Sequence, residues 1–171
     1  MRTPVDPDDT PASGVSLAFC PSIWGGKDGP PAAYNPDTGL VYIPVNQNHC
    51  GVIEGREVTY MPGSSYTGAR TEFTLREPEG NIGEIQAWNM NTGEEVWSVE
   101  FQSHNWGGIL TTGGNLIFSG GTSDRYFRAH DASSGEELWR FRTNSGIIGV
   151  PSTFSVDGKQ YVAVQSGWGV D

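Results

Sequence analysis

The apolar positions of this chain fall in short alternating runs, not in helical stripes. Glu95-Val96-Trp97-Ser98-Val99 and Glu137-Leu138-Trp139-Arg140-Phe141 each put every second side chain on one face, the pattern of a half-buried strand. The same turn-forming stretch precedes both runs. Ala87-Trp-Asn-Met-Asn-Thr-Gly-Glu-Glu-Val-Trp97 matches Ala129-His-Asp-Ala-Ser-Ser-Gly-Glu-Glu-Leu-Trp139, so the pattern A-x-[DN]-x-x-[ST]-G-E-E-[VL]-W recurs after 42 residues. Asn89 or Asp131 can form an Asx turn and Gly93 or Gly135 can take the positive φ that follows, so each unit predicts a hairpin.

A looser third copy, Ala33-Tyr-Asn-Pro-Asp-Thr-Gly-Leu-Val-Tyr-Ile43, lies 54 residues before the next, which predicts an inserted loop near 46–81. Gly113-Gly-Asn115 fits a turn between runs 106–112 and 116–118, and Asp157-Gly158 a hairpin between 152–156 and 160–164. A period near 42 with several short strands per unit is the signature of propeller blades. The chain therefore reads as all-β, a partial propeller of about three blades spanning 1–171. Three blades cannot close a ring, so open edges are expected at both ends.

Composition agrees: 24 Gly and 11 Pro punctuate the chain too heavily for long helices. Twenty acidic residues against ten basic give a net charge of −10, and no Lys/Arg stripe is present, which argues against a nucleic-acid partner. No apolar run approaches the ~20 residues that span a bilayer. Met1 to Thr10 lacks the apolar stretch of a secretory signal, so either the protein is cytoplasmic or its true N-terminus is missing. His49, His104 and His130 form no triad pattern, and Cys20 and Cys50 fit no short zinc motif, so no catalytic residue or metal ligand is assigned.

The Trp repeat resembles the tryptophan-docking motif of the eight-bladed alcohol dehydrogenases that depend on pyrroloquinoline quinone (PQQ), with Trp97 and Trp139 as docking residues. Eight-bladed outer-membrane assembly lipoproteins without cofactor use similar repeats, so a cofactor-free scaffold or binding module is the alternative. Two further blocks favour the dehydrogenases. Cys20-Pro-Ser-Ile-Trp-Gly-Gly-Lys-Asp-Gly-Pro-Pro-Ala-Ala-Tyr-Asn-Pro-Asp-Thr-Gly-Leu-Val-Tyr-Ile-Pro44 and Asn105-Trp-Gly-Gly-Ile-Leu-Thr-Thr-Gly-Gly-Asn-Leu-Ile-Phe118 resemble segments of the methanol and ethanol dehydrogenase branch. Gly29 departs from the Trp usual at its place, and Ser123-Asp124-Arg125 from the usual Asp-Gly turn.

The resemblance implies that Asp28, Lys27, Trp106, Gly167 and Trp168 contribute to a PQQ site. The residues alone also permit a turn for Asp28, a core position for Trp106 and a plain turn at Gly167-Trp168-Gly169. It further implies a Cys20–Cys50 disulfide, with free buried thiols as the other reading, and a bridge would suit an oxidising compartment. The implied whole is a periplasmic quinoprotein that oxidises a primary alcohol to an aldehyde and passes electrons to a cytochrome c or a quinone. Its Ca²⁺ or lanthanide and its catalytic base would sit on residues outside this chain, which would form the C-terminal part of the ring and pack against the remaining blades. The isolated chain is thus expected to be inactive.

Overall fold

The computed structural model describes residues 12–57, 60–65 and 68–167. The described residues contain strands and no helix, in two compact units. One holds residues through Gly25 together with Asn48–Gly80, and the other holds Gly26–Gln47 and the chain from Asn81 onward.

The first unit is a three-stranded antiparallel sheet in the order β1 (Ser16–Phe19), β4 (His49–Gly55), β5 (Ala69–Leu75). Cys20 follows β1 and Cys50 lies in β4, and the two form a disulfide. Trp24 stacks on Phe73 with centroids 3.9 Å apart and meets His49 edge-on at 5.9 Å. The segment expected as an inserted loop near 46–81 thus carries two strands, and His49 opens one of them.

The second unit holds two four-stranded antiparallel sheets and a hairpin. The first sheet runs β2 (Ala33–Asn35), β3 (Leu40–Asn46), β6 (Gly83–Asn89), β7 (Glu95–Phe101). The second runs β8 (Leu110–Thr112), β9 (Leu116–Ser119), β10 (Tyr126–Asp131), β11 (Glu137–Arg142), and β12 (Ser152–Val156) pairs only with β13 (Lys159–Ala163). Of the three expected blades, two are complete sheets and the third is a hairpin. Trp106 precedes β8 and is not part of the strand drawn from the sequence over 106–112.

All three copies of the turn form as read, but not at equivalent places. The Oδ1 atoms of Asn89 and Asp131 accept main-chain N–H groups two residues on at 2.8 and 2.9 Å, and Asn35 does the same for Asp37 at 2.9 Å. In the two close copies the turn joins the third and fourth strands of a sheet, β6 to β7 and β10 to β11, whereas Asn35–Gly39 joins the first and second. The interval of 54 therefore measures no blade. The difference in length between the two sheets shows instead in the connection from β3 to β6, residues 47–82, against 120–125 between β9 and β10.

The equivalence of Trp97 and Trp139 is exact in register and unequal in burial. Each pairs with the first alanine of its motif, Ala87↔Trp97 and Ala129↔Trp139, next to a bulge. The Trp97 ring lies on Gly135, where an added Cβ would come within 2.7 Å of Cε3, and its Nε1–H donates to Ala132 O at 3.3 Å. Tyr42, wholly buried, stacks on the same ring at 5.7 Å and donates its hydroxyl to the same carbonyl at 3.0 Å. One carbonyl has two lone pairs, so both buried donors are satisfied there. Burial pushes the Tyr42 phenol above its ordinary range. These groups, with Leu40, Ile85, Ala87, Ile109 and Ile117, form the core joining the two sheets.

Among the described residues neither end of this interlock continues into a further docked sheet. Gly93, the counterpart of Gly135, has nothing within 4 Å of an added Cβ, so no ring docks on it among the described residues. At the other end Trp139 is 50% exposed and Phe141 59%, although β11 carries the same alternation as β7. The hairpin β12–β13 also leaves Phe154 and Tyr161 exposed. Alternation in a sequence predicts a face; whether that face is buried depends on having a neighbour.

The Ser123-Asp124-Arg125 departure turns without a glycine. Arg125 takes φ 66°, and Asp124 accepts from Thr122 Oγ1 at 2.7 Å and Tyr126 N at 3.2 Å. Asp124 also pairs with the buried Arg128, whose Nε reaches Glu137 at 3.0 Å. Burial alone would raise the Asp124 carboxyl, but its bonds to Arg128 and Thr122 outweigh that and hold it below the usual carboxylate range.

Candidate cofactor site

The segments that lead into the first strand of each sheet converge. Residues 28–31 precede β2, 105–109 precede β8 and 148–150 precede β12, and β2 lies beside β8. Together Asp28, Gly29, Pro30, Pro31, Trp106, Ile148 and Val150 line a cavity of about 490 Å³. That volume is in the usual range for small-molecule sites, roughly 300–1,000 Å³. The lining is mostly apolar, with one carboxylate and one large aromatic ring.

Of the residues drawn from the sequence, the structure brings Asp28 and Trp106 to this cavity. Gly167 lines an adjoining cavity of about 470 Å³ with Ile148, Gly149 and Gln165, so the two share Ile148. Gly167 N–H bonds Gly146 O at 3.1 Å, which ties the chain after β13 to the segment before β12. Lys27 lines neither: its ammonium donates to the carbonyls of Asp28 at 2.7 Å and Pro30 at 2.9 Å, which fixes the turn that presents Asp28. Trp168 lies outside the described residues. An added Cβ on Gly29 meets nothing within 4 Å, so the absent Trp leaves open space in the wall.

The Trp106 segment is held closely. Its N–H donates to Gly121 O at 3.1 Å, and a Cβ on Gly107 would come within 2.4 Å of Gly120 O. Gly108 packs against Pro31 and Val150, and Ile109 N–H reaches Pro31 O at 3.1 Å. His104 stacks on the Trp106 ring at 5.3 Å and 14°. Beneath the segment, the buried Glu84 accepts from Gln47 and, at 2.7 Å, from Gln86. Burial pushes its carboxyl up, and Glu100 and Glu95 add to the rise.

Pro30, Pro31, Ile148, Val150 and the polar groups under Trp106 were missed from sequence. The signal available was positional: each wall segment immediately precedes the first strand of a sheet. Among the described residues no three His, Cys, Asp or Glu side chains gather as a metal centre would need.

The fit to a planar, acidic quinone is partial. Proline, isoleucine, valine and a flat indole suit an aromatic face, and the Asp28 carboxylate can accept from an edge N–H or O–H. Among the described residues no cationic side chain lines the cavity to meet the cofactor's carboxylates.

A family model described as the glucose/ethanol/alcohol dehydrogenase β-propeller domain, PQQ, matches residues 98–162. The chain is 41% identical over 159 residues to the quinoprotein alcohol dehydrogenase PedH of Pseudomonas putida, covering 92% of this chain and 26% of that protein. It is 42% identical over 155 residues to a lanthanide-dependent methanol dehydrogenase of Methylorubrum extorquens, covering 90% and 26%. A solved europium-containing methanol dehydrogenase superposes with a TM-score of 0.84 at 40% identity, over 95% of this chain and 28% of that one. The chain thus spans about a quarter of the length of the relatives it matches. With the Trp-repeat sheets, the Cys20–Cys50 bridge and the Asp28–Trp106 cavity all in place, it belongs to the PQQ-dependent alcohol dehydrogenase β-propeller family.

Proposed function

We propose that the protein carrying this chain oxidises a primary alcohol to an aldehyde with PQQ in the periplasm, and that the chain builds one wall of the PQQ pocket. The observation that carries this reading is the meeting of Asp28 and Trp106, distant in sequence, at one cavity of small-molecule size. When bound, PQQ supplies the two-electron acceptor for the alcohol. Trp106 offers a flat surface that excludes water from one face or edge of the cofactor, and Asp28 accepts a hydrogen bond from its rim. Lys27 orients Asp28 through the turn carbonyls. Gly167, in the adjoining cavity, extends the wall after β13.

The metal, Ca²⁺ or a lanthanide, and the base that takes the alcohol proton belong to residues outside the chain. Electrons leave to a cytochrome c or a quinone. A disulfide in the first unit suits an oxidising compartment.

Dye-linked alcohol oxidation tests the proposal. The full-length polypeptide, loaded with PQQ and Ca²⁺ or a lanthanide, turns over a primary alcohol, and Asp28→Ala and Trp106→Ala weaken PQQ binding. The 171-residue chain alone does not turn over. Turnover by the chain alone, or unchanged PQQ affinity in both variants, overturns the assignment.

A further inference from the structure

Trp106 can serve as a cofactor wall only if its ring stays fixed in an open-sided cavity. Its own backbone bond, N–H to Gly121 O at 3.1 Å, comes from the second sheet. The first sheet contributes a separate device. Asn105, 1% exposed, donates its main-chain N–H to Asn46 Oδ1 at 2.7 Å and its side-chain amide to Glu84 O at 3.0 Å. Its Oδ1 accepts the N–H of Gly107 at 3.3 Å. Asn46, 3% exposed, returns its amide to Asn105 O at 3.5 Å. Asn105, before Trp106, is therefore bonded to the Asn46 amide at the end of β3 and to the Glu84 carbonyl in β6, and its own side chain holds Gly107 after it.

A buried amide must be fully paired, because each group left alone keeps its full desolvation penalty. An apolar pair would pack the same space without that risk. What an apolar pair lacks is direction: amide bonds fix the peptide planes on both sides of Trp106 and so fix where its Cα–Cβ bond points.

We infer that Asn46 and Asn105 are positioning residues that fix where the Trp106 side chain leaves the backbone, and so where its ring stands beside the planar cofactor. This rests on the proposed role of the cavity as a PQQ wall. Neither amide lines the cavity, so each acts through Trp106.

The experiment is equilibrium dialysis of PQQ against the full-length apoprotein, paired with thermal melts. Trp106→Ala reports on the wall itself and weakens binding at least tenfold. Asn46→Ala, which deletes the 2.7 Å acceptor, weakens it about tenfold. The double variant binds as Trp106→Ala alone does, because the clamp has no ring left to position. Asn46→Asp keeps the acceptor but buries a carboxylate and replaces the amide that donates to Asn105 O with an oxygen. It lowers the melting temperature yet binds PQQ within about twofold of the parent, a separation that a purely structural role would not produce. If Trp106→Ala leaves affinity unchanged, the reading of the cavity fails. If Trp106→Ala weakens binding but the Asn46→Ala effect adds to it in full, or Asn46→Asp loses affinity in step with its melting temperature, the positioning role is overturned. Should Asn46→Ala not fold, the Asn46→Asp comparison decides alone.

Discussion

Replacing Gly135 with alanine, and Gly93 with alanine in a second variant, measures the interlock between the sheets. Both glycines end the same Asx turn and have nearly the same backbone, φ 77° and 72°. An alanine in the left-handed region costs about 1–2 kcal/mol at either position, so this term cancels in the comparison. What differs is the neighbour. At Gly135 the new methyl would lie 2.7 Å from Cε3 and 2.9 Å from Cδ2 of Trp97; at Gly93 it meets nothing within 4 Å. The Trp97 ring cannot yield freely, because Tyr42 stacks on it and its Nε1–H is held by Ala132 O. Overpacking of this kind costs about 1–3 kcal/mol, so Gly135→Ala should destabilise by about 3 kcal/mol and Gly93→Ala by about 1.5. Urea denaturation followed by far-UV circular dichroism gives both values, and the melting temperatures should differ by about 3–6 °C in a chain of this size. Equal losses would refute the claim that Trp97 docks on Gly135. A larger loss at Gly93 would show that a ring docks there in solution as well.

The same logic makes Trp97→Ala cost about 3 kcal/mol in urea denaturation of this chain and the half-exposed Trp139→Ala about 1 kcal/mol; equal losses would mean the β11 face is covered. His130 is wholly buried, and burial, aided by Arg128, holds its imidazole below the ordinary range against the pull of Gly135 O and Glu137. The unfolded chain therefore takes up a proton that the folded one resists. Stability is full above the ordinary imidazole pKa of about 6.5 and falls as pH drops through it toward the folded value, a slope that His130→Gln should reduce in melts at pH 7 and pH 5. Reducing Cys20–Cys50 opens a loop with a separation of 30 residues and should cost about 3–4 kcal/mol by chain entropy. Thiol titration should find two groups after reduction and none before; an unchanged melt would contradict the estimate.

The repeat was legible because it depends on local chemistry. Asn89, Asp131, Gly93 and Gly135 specify their turns through bonds two to four residues away, and such bonds follow from residue type. Asp28 and Trp106 were found through their sequence blocks, and their meeting follows from a regularity of the fold, the entry of each sheet from one side. Burial was not legible. Val96-Trp97-Ser98-Val99 and Leu138-Trp139-Arg140-Phe141 read alike, yet among the described residues only the first has a sheet against it. The third turn copy misled for a related reason, since an Asx turn with glycine closes any hairpin and does not say which pair of strands it joins. The strands β4 and β5 were hidden because the linking segment around them is rich in Gly, Pro and charge, and the pairing of β4 to β1 is long-range. Asn46 and Asn105 gave no signal beyond the position of Asn105 next to Trp106, since a buried amide is indistinguishable in sequence from a turn asparagine.

The account stands most directly on where the cofactor lies. A crystal structure of the full-length polypeptide loaded with PQQ should show the quinone against the Trp106 ring, with the Asp28 carboxylate within about 3.2 Å of an edge donor. A cofactor bound away from both residues, with the cavity filled instead by a side chain from another blade, would contradict it.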